Sequence, residues 1–401
     1  MVRSSSLVIV GAQVWQGRGR GFARRDLVIV DGRIAERAPD GVPVMDGAGA
    51  WVVPGLIDAH FHAYGLGVDQ FENERGPLSY AALKGARRLG AAQQRGFTTV
   101  RDVAGGDIGL RRAVDDGVFA SPRYLFTGPA LSQTGGHGDP RSAHVDVCFG
   151  HGHMCDVVDG VDALRVAVRD RLRTGAHAIK VMTSGGVFSL TDPVRVPQYS
   201  AEELRAVCDE AARRGSYVTA HSYSSESVLH SIENGVRCIE HGNLIESAAA
   251  EEMARRGVFL VPTLATYDAM GRRGAELGLN EISLAKNAEV LDRGKDAAAL
   301  ALAAGVRLGF GTDLMGDMED DQLRGVRLQV EAIGAEEALH SMTAGNAEIL
   351  GDSALGHLGR GAYGDVVVLD GDPLEDPAAL WEPDARRRVV QGGAVVDPIP
   401  V

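Results

Sequence analysis

Cysteine is scarce in this chain, and the four present (Cys148, Cys155, Cys208 and Cys238) form no CxxC unit. A disulfide framework is therefore not expected, and reduced thiols suit a cytoplasmic protein. Long apolar runs are missing too: none approaches the roughly 18 residues of a membrane-spanning helix. The start, MVRSSSLVIVGAQVW, lacks the longer apolar region and small-residue cleavage site of a secretory signal. A cytoplasmic location is the default expectation. Positive charge is in deficit, with 41 Lys and Arg against 54 Asp and Glu and a net charge of −13. That balance argues against nucleic acid or an anionic membrane as partner. No GxGxxG or GxxxxGK[ST] follows the first central strand, which removes the usual nucleotide readings.

What is abundant is apolar surface, 45% of 401 residues, and glycine, 52 of them. The length exceeds that at which a single core usually stops growing, so one large domain plus a small accessory one is expected. Many glycines suit a fold with many tight turns between strands and helices. The two ends read alike. LVIVGAQVW, DLVIVDGRIAE and GAWVVPG near the start match GDVVVLDGDP and RRRVVQGGAVV near the finish as short Val/Ile-rich strands broken by Gly, Asp and Pro. Between them strand and helix alternate. The strand segments are GLIDAHFH, FTTVRDV, YLFTGPAL, AIKVMTS, YVTAHSY, CIEHGN, FLVPTLAT and RLGFGTD. Several intervening helices end in Gly, and Ser200 with Glu203 fits a capping box. The expectation is an α/β fold: a (β/α)8 TIM barrel over residues 55–359, with a small β-sandwich domain made by both termini, residues 1–54 plus 360–401. A doubly wound open sheet is the competing architecture.

The chemistry-bearing residues sit at strand ends. His60 and His62 end the first central strand, Lys180 lies in the fourth, His221 and His241 close the fifth and sixth, and Asp313 ends the eighth. In a barrel those ends converge on one mouth. Two histidines two apart on a strand point the same way, a ready chelate for zinc or a similar divalent ion. Asp313 could ligate a metal and accept a proton from water. Taken singly, a strand-end histidine is more often a core or surface residue, Lys180 a snorkelling or ion-paired lysine, and Asp313 a turn cap. Six candidates on five strands make coincidence the weaker reading, because polar residues inside a barrel are costly without partners.

The segments PGLIDAHFH, IKVM, TAHSYS, IEHGN and FGTD, in this order over nearly the whole chain, resemble the amidohydrolase superfamily. TGGHGD, KVMTSGGV and TAGNAEILG resemble its branch of imidazolonepropionase-related enzymes, prolidase-like enzymes and Xaa-Arg-type dipeptidases. The resemblance implies that His60, His62 and Asp313 hold a buried metal and that His221 and His241 hold a second. It implies that Lys180 is carbamylated and bridges two divalent ions, with zinc the first expectation. A hydroxide between the ions would attack an amide (C–N) bond, in a dipeptide or N-acyl amino acid. Asp313 would take the proton from the attacking water and pass it to the leaving nitrogen. His137 would lie near the carbonyl oxygen as a catalytic and substrate-binding residue, and Tyr223 would contact a substrate carboxylate. Their alternatives are a loop histidine and a packing tyrosine.

Arg195, in the loop TDPVRVPQYS with Gln198, is a candidate for a substrate carboxylate by its fork of donors, set against a solvated loop arginine. Cys148, His151, His153 and Cys155 have metal-like spacing, but in an irregular loop that the branch does not require for metal. Two other functions compete: a mononuclear cyclic-amide hydrolase or deaminase, disfavoured by Lys180, and a non-catalytic small-molecule-binding barrel, disfavoured because no ligand is lost. A homo-oligomer built on exposed barrel helices is compatible with the pattern.

Overall fold

A computed structural model describes residues 5–382 and 387–397. The outermost residues of the two end segments, including the first four of MVRSSS, lie outside the described residues, as do 383–386. Near the N-terminus run β1 (Leu7–Trp15), β2 (Phe22–Val30), β3 (Arg33–Ala35), β4 (Val44–Asp46) and β5 (Trp51–Pro54). The middle holds β6 (Leu56–Phe61), β7 (Phe97–Asp102), β8 (Arg123–Phe126), β9 (Ala130–Ser132), β10 (Cys155–Val157), β11 (Ile179–Met182), β12 (Val218–Ser224), β13 (Cys238–Leu244), β14 (Phe259–Val261) and β15 (Arg307–Leu308). The last strands are β16 (Val366–Leu369), β17 (Arg387–Gln391) and β18 (Ala394–Val395).

The two ends meet in one sheet of eight strands, in the order β18-β17-β16-β5-β1-β2-β3, with β4 on β1. β5 joins the halves: it runs parallel to β1 and antiparallel to β16. The alternation of β1 explains this placement, since Leu7, Ile9, Ala12 and Val14 are buried while Val10 is 39% exposed. A register shift between Ile9 and Ala12 bends the strand, so its first half meets β4 and its second half β5.

The central strands are parallel. They form a seven-stranded sheet, β10-β9-β11-β12-β13-β14-β15, and a three-stranded sheet, β6-β7-β8. β6, β7, β12 and β13 are buried along their whole length, as expected of strands covered on both faces. Helices connect them, including Leu78–Gln94, Val161–Arg173, Ala201–Ala212, Ser225–Glu233 and Glu281–Ala303. The Ser200–Glu203 capping box is present in both directions, a device worth about 1 kcal/mol. The segment YLFTGPAL is two strands rather than one. Gly128 at φ +72° turns the chain, and Pro129 has no N–H to give a ladder. β8 and β9 therefore enter different sheets. RLGFGTD pairs as a strand only over Arg307–Leu308. Beyond it the backbone reaches β6 instead, through Ala59 N–H to Phe310 O at 2.9 Å and Asp313 N–H to His60 O at 2.8 Å. No helix among the described residues is long and apolar enough to cross a membrane.

Candidate active site

Five strand ends and the loops after them line one pocket with about 90 Å³ of free space. Its lining includes His60, His62, His137, Lys180, His221, Tyr223, His241 and Asp313.

His60 near the end of β6 and His62 just beyond it face Asp313. His62 Nε2 lies 2.8 Å from Asp313 Oδ1, and His60 Nε2 lies 3.3 Å from the same oxygen. One ligand atom from each of the three falls within 4.8 Å of the others. Asp58 aligns this triad from behind. Its carboxylate accepts the His60 N–H at 3.1 Å, the Thr312 N–H at 3.1 Å and the Thr312 hydroxyl at 2.6 Å. It thereby ties the segment bearing both histidines to the turn bearing Asp313. That turn puts Asp313 at φ +56°, a left-handed backbone costing about 1–3 kcal/mol in a non-glycine residue. The strain aims its carboxylate at the histidines.

Glu240 fixes the His60 ring. Its Oε2 accepts from His60 Nδ1 at 2.8 Å, while its Oε1 takes Arg101 Nη2 at 2.5 Å and the Thr219 hydroxyl. With Nδ1 donating, His60 presents a lone pair at Nε2 toward the Asp313 carboxylate, an arrangement that calls for a cation between them. A proton can take the place of that cation. Burial opposes charging His60, yet Asp313 and Glu240 outweigh it and hold the imidazole above its ordinary value. Burial likewise opposes charge on Asp313, but His60 and His62 hold its carboxyl well below the usual range. Two imidazole nitrogens and a carboxylate oxygen are a fitting donor set for zinc or a similar divalent ion.

His221 and His241 form a second cluster, with His221 Nδ1 and His241 Nε2 2.8 Å apart. His221 Nε2 lies 3.1 Å from Gly185 O, so it donates there and leaves Nδ1 as acceptor. Burial keeps both imidazoles well below their ordinary pKa, hence neutral and able to act as ligands. His241 sits at φ +77°, and Gly242 follows at +65°. Register shifts here between Ser222/Ser224 and His241/Leu244. In a regular strand Glu240 and His241 would face opposite ways. This bulge lets Glu240 reach His60 while His241 reaches His221.

Lys180, 2% exposed, lines the same pocket. Burial lowers its pKa, partly offset by Glu240 and Asp313. His137 stacks on His221 with ring centroids 4.2 Å apart, and its Nδ1 lies 2.9 Å from Ser189 Oγ. Gln198 accepts the His137 N–H at 3.1 Å. Lys286 donates to the carbonyls of Gly186, Ser189 and Asp192 at 3.0, 2.6 and 2.7 Å, which secures that loop. Tyr223 OH meets Tyr267 OH at 2.8 Å, and Tyr267 OH lies 2.9 Å from His241 Nδ1.

Arg195 stands apart from these residues. Its guanidinium is about half exposed and pairs with Glu289 at 2.7 Å, and it is not among the pocket-lining residues. The fork of donors is satisfied on the surface by a neighbouring helix. Nor does the structure gather Cys148, His151, His153 and Cys155. His151 meets Asp156 at 3.3 Å, His153 Nε2 meets Gly76 O at 2.8 Å, Cys148 is exposed and Cys155 buried. Glu240, Arg101, Asp58, Tyr267 and Glu74 escaped the sequence reading. Glu240 and Asp58 had a signal, each being a charged residue inside an otherwise apolar strand next to a candidate ligand.

Residues 51–396 match the amidohydrolase family. The chain belongs to that family. Its members act on small molecules and generally use metal ions, and the His60–His62–Asp313 cluster is a candidate place for one. The chain is 33% identical to ochratoxinase of Aspergillus niger over 370 residues, which cover 85% of this chain and 75% of the other. It is similar to the crystal structure of a prolidase complexed with N-methylphosphonate-L-proline, with a TM-score of 0.93, 41% identity and 98% and 99% coverage of the two chains. A Xaa-Pro dipeptidase with bound methionine in its active site superposes with a TM-score of 0.86 at 27% identity, covering 98% and 99%. These relatives make this amidohydrolase a hydrolase, and they support action on carbon–nitrogen bonds.

Proposed function

We propose that this amidohydrolase cleaves an amide bond in a dipeptide or N-acyl amino acid, using two divalent ions, zinc the first expectation. The observation that carries the reading is the buried Lys180 in the same pocket as two histidine clusters. His60, His62 and Asp313 would hold one ion, and His221 and His241 the other. A lysine that burial keeps toward its neutral form is the form that adds carbon dioxide, releasing one proton and leaving a carbamate able to bridge both. The bound ions would supply an acidified water and polarise the scissile carbonyl.

The chain's own residues do the rest. Asp313 takes a proton from the attacking water and hands it to the leaving nitrogen. Glu240 holds the His60 ring in one tautomer. His137, held by Ser189 and Gln198, would lie near the carbonyl oxygen, and Tyr223 would contact a substrate carboxylate. Backbone bonds at two seams support closure of the central sheets into a (β/α)8 barrel: His177 N–H to Phe126 O at 2.8 Å on one side, Asp313 N–H to His60 O at 2.8 Å on the other. Residues 55–359 would then be the barrel, with 1–54 and 360–401 as the small β-sandwich domain, in the cytoplasm.

A panel of dipeptides, N-acyl amino acids, lactams and lactones, read with metal analysis and intact mass, tests this. Open-chain amide turnover with close to two ions per chain and a carbon dioxide mass gain on Lys180 is expected. One ion, no mass gain and turnover of cyclic amides alone would replace it with the mononuclear reading.

A further inference from the structure

Glu74 is a buried carboxylate that the amide-cleaving machinery does not use. It lies near the end of the short helix Gln70–Arg75, is 5% exposed and lines the active-site pocket. Its Oε2 accepts the backbone N–H groups of Met154 at 2.9 Å and Cys155 at 3.1 Å. Those bonds fix its place, and the neutral thiol of Cys155 adds a weaker donor. The fit is close, because a Cβ on Gly152 would collide with that oxygen. No ion pair joins Glu74 to a side-chain cation among the described residues. The adjacent Arg75 lies over the Phe149 ring instead, 5.0 Å from its centroid.

A buried carboxylate without a countercharge is costly, and burial pushes this one up to about 7 despite its backbone donors. Such a group in a substrate pocket offers a charge that a ligand can complete. Tyr223, the residue proposed for a substrate carboxylate, stands on β12 against Tyr267, whereas Glu74 is anchored to the start of β10. With Tyr223 in its proposed role, the pocket would have separate places for opposite charges, and a free dipeptide carries both.

We propose that Glu74 recognises a positively charged ammonium group of the substrate, so that the pocket selects amides with a free amine over their N-acylated counterparts. This rests on the amide-hydrolase reading and narrows its substrate class from two to one.

The test compares kcat/KM of the metal-loaded wild type and Glu74→Gln for the best dipeptide of the panel and for its N-acetyl derivative. The substitution keeps an oxygen for the two backbone donors while removing the charge. The wild type is expected to favour the free amine by roughly tenfold or more, a preference the variant loses, chiefly through KM. A purely structural role would lower both substrates equally and leave the ratio unchanged, which overturns the proposal. Inhibition of the wild type by L-leucinamide against N-acetyl-L-leucinamide reads the same preference without a variant. Equal inhibition overturns it, and stronger inhibition by the cationic amide supports it. Turnover of both substrate forms with equal kcat/KM sinks this inference alone. No turnover of either form sinks the amide-hydrolase reading along with it.

Discussion

His60 Nδ1 donates to Glu240 Oε2 at 2.8 Å across 180 residues of sequence. The contact decides which nitrogen of His60 faces Asp313. Burial alone would raise the Glu240 pKa, but Arg101 and His60 hold it far below the usual carboxylate range. The anion is therefore present throughout the working pH range.

Glu240→Gln should weaken metal binding by roughly 10–100-fold, since the amide is a poorer acceptor for the His60 N–H. Metal titration of the folded variant reads this. It should also melt lower, because Arg101, fully buried, loses its counter-charge. Unchanged metal affinity would mean that Glu240 serves only Arg101.

Asp313→Asn should abolish turnover while a good part of the metal stays bound, because His60 and His62 remain. The residual rate is expected to fall by roughly 100-fold or more, the scale of a lost general acid–base group. Single-turnover kinetics with metal analysis on the same sample would check it. Retained turnover would remove the proton-transfer role.

Gly186→Ala tests the position of His137. A Cβ at Gly186 would overlap His137 Cε1 and Nδ1, so the ring must move off His221. Lys286 still anchors the loop through three carbonyls. Activity should fall by about tenfold or more with little change in melting temperature. An unaltered kcat/KM would show that His137 does not touch the substrate.

The pH dependence of stability can be read at His177, away from the pocket. Burial first, then the nearby arginines, lowers its pKa to about 4. A histidine depressed in the folded state binds its proton more readily when unfolded. Its contribution is complete above the unfolded value near 6.5 and is lost as pH falls toward 4. The upper limit is about 3 kcal/mol across that window. Denaturant melts of the wild type and His177→Gln at pH 7, 5.5 and 4 should show the variant losing less stability on acidification. Parallel losses would place the acid sensitivity elsewhere.

The order of residues alone was enough to read the alternation of strand and helix, the β-strands at both ends, and the strand ends that carry His60, His62, Lys180, His221, His241 and Asp313. These are local matters: a period of two fixes the face of HxH, and Gly or a capping box marks where a helix stops. His137 and Tyr223 came as pocket candidates through resemblance, and both stand in the lining. The remainder waited on the folded arrangement. Which carboxylate meets His60, where Arg195 finds its partner, and that Glu74 enters the pocket uncompensated all depend on which strands and loops become neighbours. The left-handed residues His241 and Asp313 break the simple period at the site itself. The strain that aims these side chains is imposed by bonds from distant segments, such as Asp313 N–H to His60 O. No local pattern in the chain encodes a bond of that kind.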